Sequence, residues 1–299
     1  MIDENYNWGL INEINEAITE ELGISDKVIE LSDNIYIEIV KAFNSEKSTI
    51  IENGVGRKYG WITYPLDDNI ILNISYDIIN FADKKYMEEY AKKKGLNTDA
   101  RSFISYEKKL SGKYKYVTNA IYLYGIAISG SIDKPSLKDS IQHEIEHIFQ
   151  QYKMGKRFED DDIASIINTS FSKGNEYAKA VANIVYMSIK YEQEGFANGL
   201  YAYCKDDPIH YRERFLSSPA YEKLDQLKKD KEFIEKNLTN SDLLKEIDKY
   251  SSIGLTKENI IQFTDKVISQ CIRRFSRVFC KVIKDINTQM KSGKITKMF

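Results

Sequence analysis

The chain has 299 residues, of which 42% are hydrophobic and 29% are charged. This length is enough for a sizeable core in one large domain or two smaller ones. The 43 Lys and Arg residues are balanced by 45 Asp and Glu residues, which argues against a general nucleic-acid-binding protein, since these are usually strongly basic. The longest apolar segment, residues 120–128, is far shorter than the roughly 18 residues that indicate a transmembrane helix.

The opening residues and the cysteines bear on localisation. The segment MIDENYNWGL lacks the basic and apolar regions of a secretory signal peptide. Cys204, Cys271 and Cys280 are odd in number and lack the spacing of a metal-binding knuckle. Both features favour a reduced cytoplasmic compartment, with carriage inside a larger assembly as the alternative.

Charge is distributed unevenly along the chain. The first forty residues carry ten acidic side chains against Lys27 alone, and the last thirty carry eight basic ones against Asp285. Such polarity can guide docking of a protein partner on the acidic N-terminal or the basic C-terminal helices. Two solvated helix faces are the simpler interpretation, and the basic stripe of the last helix is not typical of a nucleic-acid reader.

The first half of the chain is predicted to alternate between helices and short strands. Apolar residues at helical or alternating spacing indicate each element, and the turn-rich residues 65–69 join two strands into a hairpin. In chain order, we predict helices over 8–22 and 26–43, strands over 59–64 and 70–74, a helix over 77–94 and a strand over 114–129.

The second half is predicted to be almost entirely helical. A helix begins near Pro135, with Ser136 and Asp139 resembling a capping box, and ends near Gly155. A polar loop with a short helix is expected over 156–174. The remaining predicted helices cover 175–203, 220–237, 241–250 and 257–290, with Ser241 and Thr256 as N-caps of the last two. The fold class is therefore α+β.

Two of the three histidines lie in the segment His143-Glu144-Ile145-Glu146-His147. Because residues four apart share a helix face, both imidazoles can bind one metal ion. In an H-E-x-x-H motif on a helix, the glutamate after the first histidine acts as general base. We therefore predict His143 and His147 as metal ligands and Glu144 as the base.

This motif resembles the HExxH zinc metallopeptidases, the zincins. The order of strand, motif helix and second helix matches their shared core. The resemblance implies a zincin-like catalytic domain over residues 55–215, between an acidic helical extension over 1–54 and a helical region over 216–299. It also implies that residues 120–129 form an edge strand that pairs with an extended peptide substrate.

The third ligand is expected on the second helix. The metzincin pattern is excluded, because Gln150 and Lys153 stand where a glycine and a histidine are required. Glu194-x-x-Ala197-Asn198 instead resembles the pattern around the ligand glutamate of gluzincins, and its surroundings are similar to those in the catalytic domain of anthrax lethal factor. The resemblance implies Glu194 as the third ligand.

Amphipathicity favours a different glutamate. Residues two apart on a helix diverge by about 200°, so Glu192 and Glu194 cannot both face the metal. Glu192 falls on the apolar stripe, where a buried carboxylate needs a partner such as a metal ion. Glu192 is therefore the alternative ligand, and the acidic run Asp160–Asp162 is a further one that is more typical of a solvated loop.

Gluzincins often add a tyrosine or histidine that stabilises the developing oxyanion. His210, the third histidine, and Tyr191, just before the glutamates, are candidates for this role, as is Tyr186. An ordinary packing or surface role is the alternative for each of the three, since the chain has 21 tyrosines to place.

Together, these features predict a zinc-dependent endopeptidase acting on a protein or peptide substrate, with a metal-activated water and Glu144 as general base. The alternative function is a zincin-like structural or interaction module, such as a phage or mobile-element component, without proteolytic activity. Retention of Glu144 favours the enzyme, because a module kept only for packing has no need of a general base.

Overall fold

The computed structural model describes residues 26–45, 49–67, 70–94, 103–111, 116–154 and 161–292. The helix predicted for residues 8–22 lies outside these ranges. The described chain is of the mixed α+β class and falls into two compact units, a sheet unit within Ile24–Phe149 and a helical unit within Gln150–Phe299.

The described residues of the sheet unit form a mixed β-sheet and three helices. Its strands are ordered β1-β2-β3-β5-β4, and the short β6 pairs with β5. All strand pairs are antiparallel except β3 with β5. The elements are α1 (Asp26–Ser45), β1 (Thr49–Glu52), β2 (Val55–Asp67), β3 (Ile70–Phe81), α2 (Lys84–Lys94), β4 (Phe103–Ser111), β5 (Tyr116–Ile128), β6 (Ser131–Ile132) and α3 (Lys134–Met154).

One face of the sheet is buried, because alternate residues of a strand point to the same side. On β3, the residues of this face are Leu72, Ile74, Tyr76 and Ile78. Helix α1 covers the same face, where Lys58 of β2 donates a hydrogen bond to a carbonyl of α1. The opposite face leaves aromatic side chains of β2 exposed.

An ion pair between a buried lysine and a half-buried aspartate joins the two long helices of this unit. Lys138 of α3 lies 2.5 Å from the carboxylate of Asp33 on α1, and its ammonium stands 5.7 Å from the ring centroid of Tyr36. Lys138 is almost fully buried, so removal of Asp33 would take a negative charge away from a buried ammonium. The pair therefore fixes the position of the helix that carries the H-E-x-x-H motif.

The sheet is larger than the sequence predicted. Residues 77–81 continue β3 rather than starting a helix, because they pair with β2 on one side and with β5 on the other. Strands β1, β4 and β6 were not predicted. The expected edge strand over 120–129 is also wrong: β5 is internal, since β4 pairs with it from Tyr116 to Tyr124.

The helical unit packs its helices around the long C-terminal helix α10. Buried residues recur along α10 at spacings of three and four from Ile260 to Ile286, the pattern of a helix with one apolar face. The helices are α4 (Asp161–Lys173), α5 (Glu176–Ser188), α6 (Lys190–Lys205), α7 (Tyr211–Leu216), α8 (Pro219–Asn237), α9 (Ser241–Asp248), the short 3₁₀-helix η1 (Ser251–Ile253) and α10 (Ile260–Lys291).

The long helix predicted over 175–203 is broken into α5 and α6. At Ile189 the backbone adopts an extended conformation, with φ −71° and ψ 120°. The predicted caps also differ. Asn240, rather than Ser241, caps α9 by accepting hydrogen bonds from two backbone N–H groups, and Asn259 precedes α10 without a side-chain cap.

None of the described helices combines the length and the apolar character that crossing a membrane requires. Cys204, Cys271 and Cys280 are free thiols.

Gly174 joins α4 to α5 at a position with no room for a side chain. A Cβ there would lie 2.3 Å from the carbonyl oxygen of Ser170 and 2.7 Å from Cβ of Ala178. We predict that Gly174→Ala lowers the free energy of unfolding by about 1–3 kcal/mol, measured by urea denaturation. Thr169→Ala, at an exposed position of α4, is the control and should change it by less than about 0.5 kcal/mol. An unchanged midpoint for Gly174→Ala would contradict the steric argument.

Candidate metal centre

Helix α3, which carries the motif, is fixed at its N-terminus by local contacts. The hydroxyl of Ser136 donates to the carboxylate of Asp133, and the N–H of Leu137 donates to the carbonyl of Asp133 at 3.0 Å. Pro135 is tolerated in the first turn because the N–H it lacks has no intrahelical acceptor there. Asp133, rather than the predicted Asp139, is thus the partner of Ser136.

The two motif histidines converge on one point. Their Nε2 atoms are 3.0 Å apart, and their ring centroids are 4.6 Å apart with the rings almost perpendicular. Two nitrogens bound at about 2.1 Å to one tetrahedral metal ion would lie about 3.4 Å apart. The two Nε2 atoms therefore need to move apart only slightly to bind one metal ion together.

A buried carboxylate completes the cluster. The ligand atoms of His143, His147 and Glu192 all lie within 4.8 Å of one another, and Glu192 is only 6% exposed. Two imidazoles and one carboxylate are a donor set of catalytic zinc sites, which leave a fourth position for water or substrate. The cluster could therefore bind a metal ion.

Glu194, the ligand implied by the resemblance, has a different environment. Its Oε1 accepts a hydrogen bond from Nη1 of Arg274 at 2.9 Å and lies 3.7 Å from Nζ of Lys190. Glu192 belongs to the candidate metal-binding cluster and Glu194 does not. The prediction from the apolar stripe, Glu192, is therefore the glutamate in the cluster, whereas the resemblance implied Glu194. Asp160 and the side chains of Asp161 and Asp162 lie outside the described residues.

The predicted base and oxyanion residues occupy distinct environments. Glu144 is buried on α3, whereas Tyr191 is half-buried at the start of α6. His210 is 64% exposed, with its Nδ1 3.0 Å from Oδ1 of Asp207. Burial acts to raise the pKa of Asp207, but hydrogen bonds from His210 and Arg214 outweigh it and lower that pKa. The described contacts of His210 are therefore those of a loop-stabilising residue.

A cavity of about 440 Å³ adjoins Glu192 within the helical unit. Glu192 and Tyr191 form part of its wall, and most of the remainder is apolar. Apolar walls with a few polar groups are typical of small-molecule and side-chain pockets. The lining aliphatic and phenylalanine residues are Ile163, Ala164, Ile167, Val185, Ile189, Ile253, Phe263 and Val267.

A partly buried lysine of α8 lies near Glu192. The ammonium of Lys223 stands 5.1 Å from the ring centroid of Tyr186 and 5.6 Å from that of Phe171. Burial lowers its pKa to about 8, and the carboxylates of Asp230 and Glu192 act to raise it. Sequence analysis did not identify Lys223 as a candidate site residue. Its ammonium comes close enough to interact with Glu192 only because α8 packs against α6.

Comparisons of the chain with protein-family models, with curated proteins and with solved structures found no match.

The lowered pKa of Lys223 predicts a specific pH dependence of stability. Between about pH 8 and 10.5 the unfolded chain binds more protons at this residue than the folded chain. The contribution of Lys223 to the free energy of unfolding therefore rises with pH in this window, by at most about 1.4 kcal/mol per pH unit. Lys223→Met removes this contribution.

Urea denaturation at a series of pH values tests this. The difference in unfolding free energy between wild type and Lys223→Met should be constant from pH 6 to about 7.5 and should rise from about pH 8 to 10. Lys236→Met, at an exposed position of the same helix, is the control and should give a flat difference. A flat difference for Lys223→Met would contradict the burial argument.

Proposed function

We propose that the chain is a zinc-dependent endopeptidase. The observation that supports this most strongly is the clustering of His143, His147 and Glu192, whose ligand atoms lie within 4.8 Å of one another. Zinc suits this set of imidazole and carboxylate donors, and three protein ligands are typical of catalytic rather than structural zinc sites. The order of strand, motif helix and ligand helix supports a zincin-like arrangement.

In this proposal, zinc would supply Lewis acidity and lower the pKa of a bound water to about 7. The chain provides the proton transfers. Glu144, buried next to His143 in the motif, accepts a proton from the attacking water and later gives it to the leaving amine. Exclusion of bulk water around a buried carboxylate strengthens its electrostatic interactions.

The cavity beside Glu192 supports a peptide substrate. A volume of about 440 Å³ with mostly apolar walls can take a large apolar side chain. Of the three predicted oxyanion residues, Tyr191 and Tyr186 line this cavity and His210 does not, and Tyr191 also adjoins Glu192 in sequence. We therefore propose peptides with an apolar residue near the scissile bond as substrates.

Metal content is the first test of this proposal. Purified wild-type protein should contain one zinc ion per chain by elemental analysis, and His147→Ala should lose it because two ligands bind zinc much more weakly than three. His210→Ala is the matched control, since His210 is exposed and paired with Asp207, and it should retain the metal. Wild-type protein without metal after zinc is supplied would contradict the proposal.

The role of Glu144 is tested by Glu144→Gln, which keeps the shape of the side chain but removes its basicity. We expect zinc to be retained and peptide cleavage to fall by about 10²–10⁴-fold, the usual contribution of general acid–base catalysis. Glu146→Gln, on the same helix between the two histidines, is the matched control and should cleave normally.

Zinc binding without cleavage of any peptide in a diverse library would favour the alternative, a zincin-like structural or interaction module. Cleavage that is unchanged in Glu144→Gln would instead retain the enzyme and assign the base to another residue.

A further inference from the structure

The first turn of α6, which carries Glu192, has no side-chain cap. Its N-cap residue is Ile189, which makes no side-chain hydrogen bond to the turn. The first N–H groups of a helix have no intrahelical acceptors, and an aliphatic N-cap cannot supply one. Because α5 also ends at this position, the turn needs contacts from elsewhere to hold a fixed orientation.

Those contacts come from the two residues after Glu192. The side-chain amide of Gln193 donates a hydrogen bond to the carbonyl of Met187, in the last turn of α5, at 2.7 Å. Arg274 of α10 donates from Nε to Oε1 of Gln193 at 3.0 Å and from Nη1 to Oε1 of Glu194 at 2.9 Å. One guanidinium thus binds two consecutive residues of the turn.

These interactions are protected from solvent to different degrees. Gln193 is 1% exposed, and the side chains of Arg274 and Glu194 are about 30% exposed. Charge-assisted hydrogen bonds in such surroundings are stronger than those at an open surface. Glu194 also lies 3.7 Å from Nζ of Lys190, which is mostly exposed, so this ion pair contributes little.

We propose that Arg274 is the positioning residue for Glu192. By binding Gln193 and Glu194, it fixes the rotation of the first turn of α6 and holds the carboxylate of Glu192 in the metal-binding cluster. Arg274 does not touch the metal. The inference rests on the proposed metal site, and it assigns to Glu194 the role of anchor for Arg274 rather than that of ligand.

Zinc affinity is the measurement that tests this, by competition with a chromophoric chelator. Arg274→Met should weaken zinc binding about 10–100-fold, the usual effect of losing a residue that orients a metal ligand. The visible spectrum of the Co²⁺-substituted protein should change as well. Arg273→Met, the same substitution at the exposed neighbouring position, is the matched control and should bind zinc like wild type.

Conservative variants separate positioning from general destabilisation. Arg274→Lys keeps the charge but cannot bind both partners with a planar fork, so it should recover only part of the affinity. The Co²⁺ spectrum of the folded variants reports the metal environment, which a merely structural role of Arg274 would not change. Thermal unfolding of the metal-free proteins identifies any variant that fails to fold.

Combining Arg274→Met with Glu194→Gln distinguishes an anchor from a ligand. If Glu194 acts through Arg274, the double variant should bind zinc no more weakly than Arg274→Met alone, because both changes remove the same ion pair. A further large loss in the double variant would show that Glu194 itself binds the metal and would overturn the inference.

The failure of the inference and that of the proposed function give different results. A wild-type chain that binds no zinc would contradict the proposed function and the inference with it. Wild-type affinity in Arg274→Met, with metal still bound by the wild type, would overturn the positioning role alone.

Discussion

The burial of the Glu192 carboxylate is the constraint on which the proposed function depends. Moving a carboxylate out of water is costly unless cations or hydrogen-bond donors compensate it. Here the positive charge of Lys223 acts on Glu192 within the helical unit, and two imidazole nitrogens lie within 4.8 Å of a carboxylate oxygen. A metal ion at this position would compensate the carboxylate more fully than the lysine does, since it carries two charges and contacts the oxygen directly.

The break at Ile189 determines which face of α6 the glutamates present. Because α5 and α6 are separate helices, the orientation of Glu192 is not fixed by the amphipathic stripe of α5. It is fixed by α10, through the guanidinium that binds Gln193 and Glu194. Residues two apart on a helix differ in direction by about 200°, so only one of the two glutamates can join the cluster. The contact with Arg274 sets which of them does so.

The motif helix is positioned by its own unit in an equally specific way. Its N-terminus is fixed by Asp133, and the ion pair between Lys138 and Asp33 holds it against α1. The strand before it, β5, is internal to the sheet and is flanked by β4. Binding of an extended substrate along Tyr116–Tyr124 would therefore require β4 to move away, so the proposed peptide must approach along another part of the chain.

Local patterns in the sequence determined the α+β class, most of the helices, the central hairpin and the H-E-x-x-H pair, because spacings of two and four residues act within one strand or helix. Strand β4 was missed because its charged sequence, typical of an edge strand, lacks a clear alternation. The break at Ile189 was missed because apolar residues continue through it at helical spacing. The choice between Glu192 and Glu194 depends on Arg274, which lies 80 residues from Glu194 in the sequence. In the sequence the apolar stripe favoured Glu192 and the resemblance favoured Glu194. Tertiary packing decided between them, since no local spacing records which distant helix supplies the guanidinium.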